Sequence, residues 1–259
     1  MKVLHMSGAG NDFMVIDARG LQLDFSALAK KFCAVTGADG FMAADYSETC
    51  DFKLHFYNSD GSRGEMCGNG ARCICRFAYD HGMAGAHMTV ETDAGPVPGV
   101  RLAENRYRVK LNNPGILDLN RRPDCAYVEL GCPGVPHGVA ELPALEFSDR
   151  EALRERAVAL RFDPAFPKGA NINFFTRLDD STVRILTYER GVEDYTLACG
   201  TGCGSVASVL YARGLLPGGK LTLHNAGGTL NVTVQGEAGT VTSLLLEGGA
   251  EVLKEYELD

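Results

Sequence analysis

The sequence predicts an α/β chain of the α+β kind: two similar domains with mostly antiparallel sheets, each carrying a helix that starts at a cysteine. Three observations predict it. The first is a motif that occurs twice, Met66-Cys67-Gly68-Asn69-Gly70-Ala71-Arg72-Cys73 and Ala198-Cys199-Gly200-Thr201-Gly202-Cys203-Gly204-Ser205, with the two leading cysteines 132 residues apart, about half of the 259-residue chain. That spacing suggests one duplicated unit; a solenoid would repeat every ~20–50 residues. The second is that short strand-like runs, separated by Gly, Pro and Asn, fill both halves with links mostly too short for crossover helices. The third is the 45% hydrophobic content, enough for one large domain or two of ordinary size.

In chain order, Gly8-Ala9-Gly10-Asn11-Asp12 reads as a tight turn ahead of the strand Phe13–Asp17. It is no dinucleotide fingerprint, because the turn precedes the strand and the third glycine is missing. Spacing alone makes it a surface turn. Asp24 to Cys33 carries Phe25, Leu28, Ala29 and Phe32 at helical spacing, and Gly37-Ala38-Asp39-Gly40 ends that unit. Phe52 to Tyr57 alternates like a half-buried strand and runs into the turn Asn58-Ser59-Asp60-Gly61-Ser62. After the first Cys-Gly head, Ala71, Ile74, Phe77 and Ala78 share one helical face, with Gly82 as terminator.

Met88 to Leu111 reads as short strands, and Asn112-Asn113-Pro114-Gly115 is the best boundary. Ala126–Leu130 and His137–Ala140 read as strands. Ser148-Asp149-Arg150-Glu151 is a capping box that opens a helix to about Arg161. Asn171–Phe175 and Val183–Tyr188 are strand-like. The second head then starts a helix with Val206, Val209, Leu210 and Ala212 inward and Gly214 beyond its end. From Lys220 to Leu258 the pattern is strands with Gly-rich turns.

A net charge of −8 argues against nucleic acid or an anionic membrane as partner. No stretch approaches the ~18 apolar residues of a membrane span, and the first residues lack the apolar core of a signal peptide, so a cytoplasmic protein is expected. Nine cysteines, an odd number in a long chain without a signal, are expected as reduced thiols.

A helix N-terminus presents N–H groups outside the helical ladder and a partial positive charge. It lowers a cysteine's pKa and binds carboxylates, and glycines beside the cysteine let a ligand approach the backbone. Two such ends facing one another would hold a carboxylate and set a sulfur on each side of the attached carbon, with one thiolate and one thiol. That layout can invert an amino-acid α-carbon. Structural cysteines and a dithiol redox pair remain open alternatives for Cys67 and Cys199. Cys33, Cys50 and Cys125 are expected to be simply buried, and Cys73, Cys75 and Cys203 to pack inside their helices. Without Cys-x-x-Cys or clustered histidines, no metal site is expected.

Taken together, Gly8-Ala9-Gly10-Asn11-Asp12-Phe13, Asn58-Ser59-Asp60-Gly61-Ser62, the two heads, Ala170-Asn171 and Tyr188-Glu189-Arg190-Gly191 resemble the diaminopimelate epimerase family through nearly the whole chain. The resemblance implies two pseudo-symmetric domains, each a curled sheet around a central helix, with the active site in the interdomain cleft. The first domain would take residues 1–112 plus the closing strand in 247–259, and the second 113–246. It implies an isomerase that converts LL-diaminopimelate to the meso form for lysine and peptidoglycan-precursor synthesis, with no cofactor, neither pyridoxal phosphate nor metal.

Cys67 and Cys199 would be the acid/base pair. Gly68, Asn69, Gly200 and Thr201 would hold the reacting carboxylate, and Asn11, Asn58, Asn171, Glu189 and Arg190 the distal end, where an Arg fork suits a carboxylate. The expected partners are a small amino-acid substrate and a second copy of the chain in a homodimer, with no nucleic acid and no membrane. Val135, Ser7, Arg63 and Tyr195 depart from the family's usual Asn, His, Glu and Glu. Two alternatives follow: a cofactor-independent racemase of a histidine-like or proline-like amino acid, or a thiol-redox or carboxylate-binding protein.

Overall fold

The tight turn expected within Gly8–Asp12 is where the chain first turns back on itself. In the computed structural model, which describes residues 2–64 and 67–257, strand β1 (Lys2–Gly8) pairs antiparallel with β2 (Asn11–Asp17), joined by Ala9 and Gly10, both at positive φ. Met66 and Leu258, used in the sequence reading, lie outside the described residues. The chain divides into two units, Met1–Lys110 with Glu247–Asp259, and Leu111–Leu246.

In the first unit, helix α1 (Phe25–Thr36) starts where the Asp24 side chain accepts from Ala27 N–H and ends at Gly37 in the left-handed region. It buries Ala29, Phe32 and Cys33 with Met14, Ile16 and Phe41. β3 (Gly40–Asp45) lies parallel to β2, and β4 (Phe52–Asn58) antiparallel to β3. Helix α2 (Gly68–Asp80) follows, with Cys67 as its N-cap. β5 (His87–Thr92) then lies parallel to β4, and β6 (Gly95–Ala103) and β7 (Arg106–Leu111) add antiparallel neighbours.

The second unit repeats this order. β8 (Pro114–Arg122), β9 (Cys125–Gly131) and β10 (Gly134–Glu141) form a meander. Helix α3 (Arg154–Arg161) leads to β11 (Asn171–Arg177), parallel to β10. β12 (Thr182–Glu189) pairs antiparallel with β11, and the short β13 (Asp194–Thr196) folds back on β12. Helix α4 (Gly200–Ala212), with Cys199 as N-cap, leads to β14 (Lys220–Asn225), parallel to β12, and then β15 (Gly228–Glu237). β16 (Thr240–Gly249) carries the chain back to the first unit, where β17 (Glu251–Glu257) pairs antiparallel with β1.

The sheets are thus mostly antiparallel, but each unit contains two parallel pairs, every one bridged by a connection long enough to hold a helix. Each sheet curls around a central helix. α2 is buried at every residue from Gly68 to Cys75 and again at Phe77 and Ala78; α4 is buried from Gly202 to Leu210. A helix buried almost all round belongs to an interior, and each large apolar side chain so placed contributes ~1.5–3 kcal/mol. Gly82 and Gly214, both at positive φ, close the two helices as their spacing predicts.

The structure corrects the start of α3. Residues Phe147–Arg150 form a single 3-10 turn, in which Asp149 accepts from Glu146 N–H at 2.8 Å; the α-helix begins only at Arg154. The capping box is therefore Glu146 with Asp149, around the 3-10 turn, not one that starts at Ser148, and α3 itself has Leu153 as its N-cap. β1, β3, β8 and β13 are strands that the sequence reading did not pick out. Among the described residues no helix is long and apolar enough to cross a membrane.

Candidate active site

The register in each unit carries the candidate residues to one end of its sheet. In the first, Phe13 lies opposite Gly40 and Gly40 opposite Asn58, so the start of β2 and the end of β4 share an edge. Asn69, in the first turn of α2, donates to Asn11 Oδ1 at 2.5 Å, and Asn11 donates to Asp39 Oδ2 at 3.1 Å, an oxygen that also accepts from Asp12 N–H. Asn11, Asn69 and the Cys67 cap are thereby one cluster. Asn58 stays exposed in its turn and donates to Ser62 Oγ at 2.9 Å. Beneath them Arg72, fully buried, donates to Gly68 O, Asn69 Oδ1 and Gly249 O. This charge is hydrogen-bonded, as a buried guanidinium must be.

α2 can approach β1 this closely because of Gly8. A Cβ there would stand 2.8 Å from Asn69 O and 3.1 Å from Cys73 Sγ. The first helical hydrogen bond of α2 runs from Ala71 N–H to Cys67 O at 2.7 Å, and that of α4 from Cys203 N–H to Cys199 O at 3.0 Å. The N–H groups ahead of these positions lie outside the helical ladder, the geometry that binds carboxylates.

In the second unit His137 pairs with Asn171 and Ile172 with Tyr188, which brings His137, Asn171 and Glu189 to a common edge. Asn171 Oδ1 accepts from Arg190 N–H at 2.8 Å, so its free valence toward a ligand is the Nδ2 donor. The Arg190 guanidinium is exposed and donates to Lys168 O at 3.1 Å. Glu189 Oε1 accepts from Thr196 Oγ1 at 2.7 Å. Cys199 Sγ accepts from Gly202 N–H at 3.3 Å and lies 3.4 Å from Thr201 Oγ1.

The expectation that a helix N-terminus lowers the cysteine pKa fails at Cys199. Burial pushes this thiol well above its ordinary value and the Glu189 charge adds to the effect; the Thr201 and Gly202 hydrogen bonds oppose it without prevailing. Desolvation outweighs the helix end here because the sulfur is nearly inaccessible. Cys73, Cys75 and Cys125 are also buried, their thiols pushed up to about 12 by burial, as packing residues should be. Cys33 is buried too, whereas Cys50 is only half-buried and Cys132 is exposed.

Four residues near the second head escaped the sequence reading: His137, Asn173, Thr187 and Thr196. Their signal was present as polar residues facing inward along otherwise apolar strands, such as Asn173 in Asn171-Ile172-Asn173-Phe174-Phe175. Of the positions that depart from the family pattern, Arg63 pairs with Asp93 through two hydrogen bonds. Tyr195 packs edge-on against Tyr188, and Val135 is 37% exposed.

The sequence model of the family described as Diaminopimelate epimerase matches residues 3–112 and 132–252. A diaminopimelate epimerase of Aquifex aeolicus is 38% identical over 237 residues, 83% of this chain and 83% of the relative. Another, from Methanocella arvoryzae, is 36% identical over 282 residues, covering 100% of this chain and 97% of the relative. Among solved structures, a phenazine biosynthesis protein of the PhzF family from Bacillus anthracis superposes with a TM-score of 0.72 at 15% identity, covering 100% of this chain and 99% of the other. A hydroxyproline epimerase from Agrobacterium vitis gives 0.72 at 16% identity, covering 99% and 91%. These two likenesses concern the fold.

Proposed function

Because the chain belongs to the diaminopimelate epimerase family, we propose that it inverts the α-carbon of LL-diaminopimelate to the meso form, with Cys67 and Cys199 as acid/base pair and neither pyridoxal phosphate nor metal. The observation that carries this reading is the matched pair of cysteines, each the N-cap of a buried central helix. A thiolate takes the α-proton and becomes a thiol; the other thiol delivers its proton to the opposite face and becomes the thiolate. Charge and protons balance, and the product state is the starting state for the reverse direction.

Burial and Glu189 keep Cys199 protonated, which makes it the donor at rest and gives Cys67 the role of base. The helix-start N–H groups at Gly68, Asn69, Gly200 and Thr201 hold the carboxylate of the reacting centre and favour the charge that spreads into it. Glu189 takes the distal ammonium, Arg190 forks onto the distal carboxylate, and Asn11, Asn58 and Asn171 complete the shell, Asn171 through Nδ2. The enzyme would work in the cytoplasm as a homodimer, supplying lysine and cell-wall precursor synthesis.

The test is a panel of amino acids incubated with the protein in deuterated water. Incorporation of α-deuterium and inversion of diaminopimelate are expected. Efficient exchange of histidine or proline with diaminopimelate untouched would overturn the substrate, and no exchange with any amino acid would overturn the reaction.

A further inference from the structure

Glu129 is a buried carboxylate that the proposed chemistry does not use. It sits on β9 and accepts from Tyr127 Oη at 2.6 Å and from Lys168 Nζ at 2.7 Å. Burial raises its pKa, but the hydrogen bonds from Lys168 and Tyr127 outweigh burial and hold the carboxyl below its ordinary value. A carboxylate taken out of water needs such a partner, and here the partner's main chain reaches the candidate site. Lys168 belongs to the segment between α3 and β11. Phe166, two residues earlier, stacks on Tyr127 with ring centroids 5.3 Å apart, so the ring and the ammonium seat on neighbouring β9 side chains. β10 can pass over Glu129 because residue 134 is glycine: a Cβ there would stand 2.7 Å from Glu129 Cβ. The Lys168 carbonyl accepts from Arg190 Nη1 at 3.1 Å, and Asn171 Oδ1, three residues on, accepts from Arg190 N–H at 2.8 Å. One short segment thus grips both the main chain and the guanidinium of Arg190. Among the described residues the guanidinium has no other hydrogen bond and no ion pair.

We infer that Lys168 and Glu129 are positioning residues, whose ion pair fixes the carbonyl that aims the Arg190 guanidinium at the distal carboxylate of the bound amino acid. The aim at a carboxylate rests on the function proposed above; the tether does not. An exposed arginine samples many rotamers, and holding it in one before the ligand arrives lowers the ordering cost of binding. Glu129 also neutralises Lys168. The planar guanidinium, and not the ammonium, is then left to fork onto a carboxylate.

The experiment removes the ion pair from both sides at once, because Lys168→Met alone would leave Glu129 buried without its cation. In the double variant Glu129→Gln, Lys168→Met the new amide oxygen still accepts from Tyr127. Crystal structures of the full-length wild type and of this variant, both without ligand, should show Arg190 on the Lys168 carbonyl in the first and released from it in the second. Arg190 in the same place in both would overturn the tether, whatever the substrate is. With diaminopimelate the variant's KM should rise about tenfold or more with kcat nearly unchanged, because Arg190 holds ground state and transition state alike. Lys168→Arg, which keeps the pair, should keep the wild-type KM. A fall in kcat at unchanged KM would overturn the positioning role. If the double variant does not fold, Lys168→Arg and the wild-type crystal structure decide: a KM raised about tenfold in the first, or Lys168 Nζ away from Glu129 in the second, overturns the inference. A wild type that turns over no diaminopimelate refutes the function proposed above, and the paired crystal structures still decide the tether.

Discussion

Gly202→Ala isolates what lies beneath the second head. The new Cβ would fall well inside contact distance of Asn173 Oδ1 and 3.2 Å from Thr187 Oγ1. Asn173 cannot yield, because it is fully buried and pinned to Gly138 O, His137 Nδ1 and Thr187 Oγ1. The first turn of α4 must therefore lift. Overpacking a filled interior costs ~1–3 kcal/mol, and losing one neutral hydrogen bond adds ~0.5–1.5 kcal/mol, for a total of about 1.5–4.5 kcal/mol. For a protein of this size that lowers Tm by roughly 5–15 °C. Lifting the turn also displaces the Gly202 N–H that Cys199 Sγ accepts from, so kcat/KM should fall with it. Gly218→Ala is the control: nothing stands within 4 Å of its Cβ, and stability should change by no more than ~0.5 kcal/mol. Equal Tm values for the two variants in parallel thermal melts would refute the packing argument.

Other outcomes follow from the same geometry. Cys67→Ala and Cys199→Ala should each lower the rate of inversion ~10²–10⁴-fold with the circular dichroism spectrum unchanged, whereas Cys73→Ala should keep it; near-wild-type inversion by either of the first two variants would sink the two-base assignment. Arg190→Met should reduce kcat/KM for diaminopimelate far more than Val135→Asn changes it, because the first leaves a ligand carboxylate unpaired; similar effects from both would refute the distal assignment. Alkali should destabilise the fold. Native Cys73, Cys75 and Cys125 hold their protons up to about 12, while the unfolded chain releases them near the ordinary thiol value. The native state then binds more protons, and stability falls as pH rises, by about 3 kcal/mol from pH 9 to pH 10. Urea melts at the two pH values check it, and a flat profile would contradict the buried-thiol assignment.

The repeated Cys-Gly-x-Gly head made the central helices legible, since apolar spacing, a starting cysteine and a terminating glycine all agree there. Strands with alternating patterns, such as Phe52–Tyr57, were equally plain. β3 escaped because Gly40–Asp45 is buried at five of its six positions, and a continuous apolar run has no period to read. The start of α3 was misplaced because the box lies two residues earlier, Glu146 with Asp149, and closes a 3-10 turn instead of opening the α-helix. In the site, the duplicated heads singled out Cys67 and Cys199 as candidates, and the family resemblance added Asn11. They could not reveal that Asn171 spends its carbonyl on Arg190 or that burial raises the Cys199 thiol. Both depend on which atoms the folded chain removes from water.

The structure also assigns the motif's second glycine a different reason from the one the sequence suggests. Close approach of a ligand is one reason for glycine in a Cys-Gly-x-Gly head, yet Gly70 and Gly202 face their own units' interiors. A Cβ on Gly70 would meet Met42 Sδ at 3.2 Å and Phe13 at 3.5 Å, an apolar floor; one on Gly202 would meet the amide of Asn173 and the hydroxyl of Thr187, a polar floor. The backbone of the duplicated unit is kept while the side chains supporting it have diverged. In the two-base mechanism proposed above, that divergence biases which of the two thiols carries the proton at rest; the inversion itself would run with either. The half-buried Glu189–Thr196 contact and the buried Asn173–His137 contact in the second half, set against the Arg72 guanidinium under the first, distinguish the two ends. The asymmetry resides in the support beneath each helix start, not in the repeated motif.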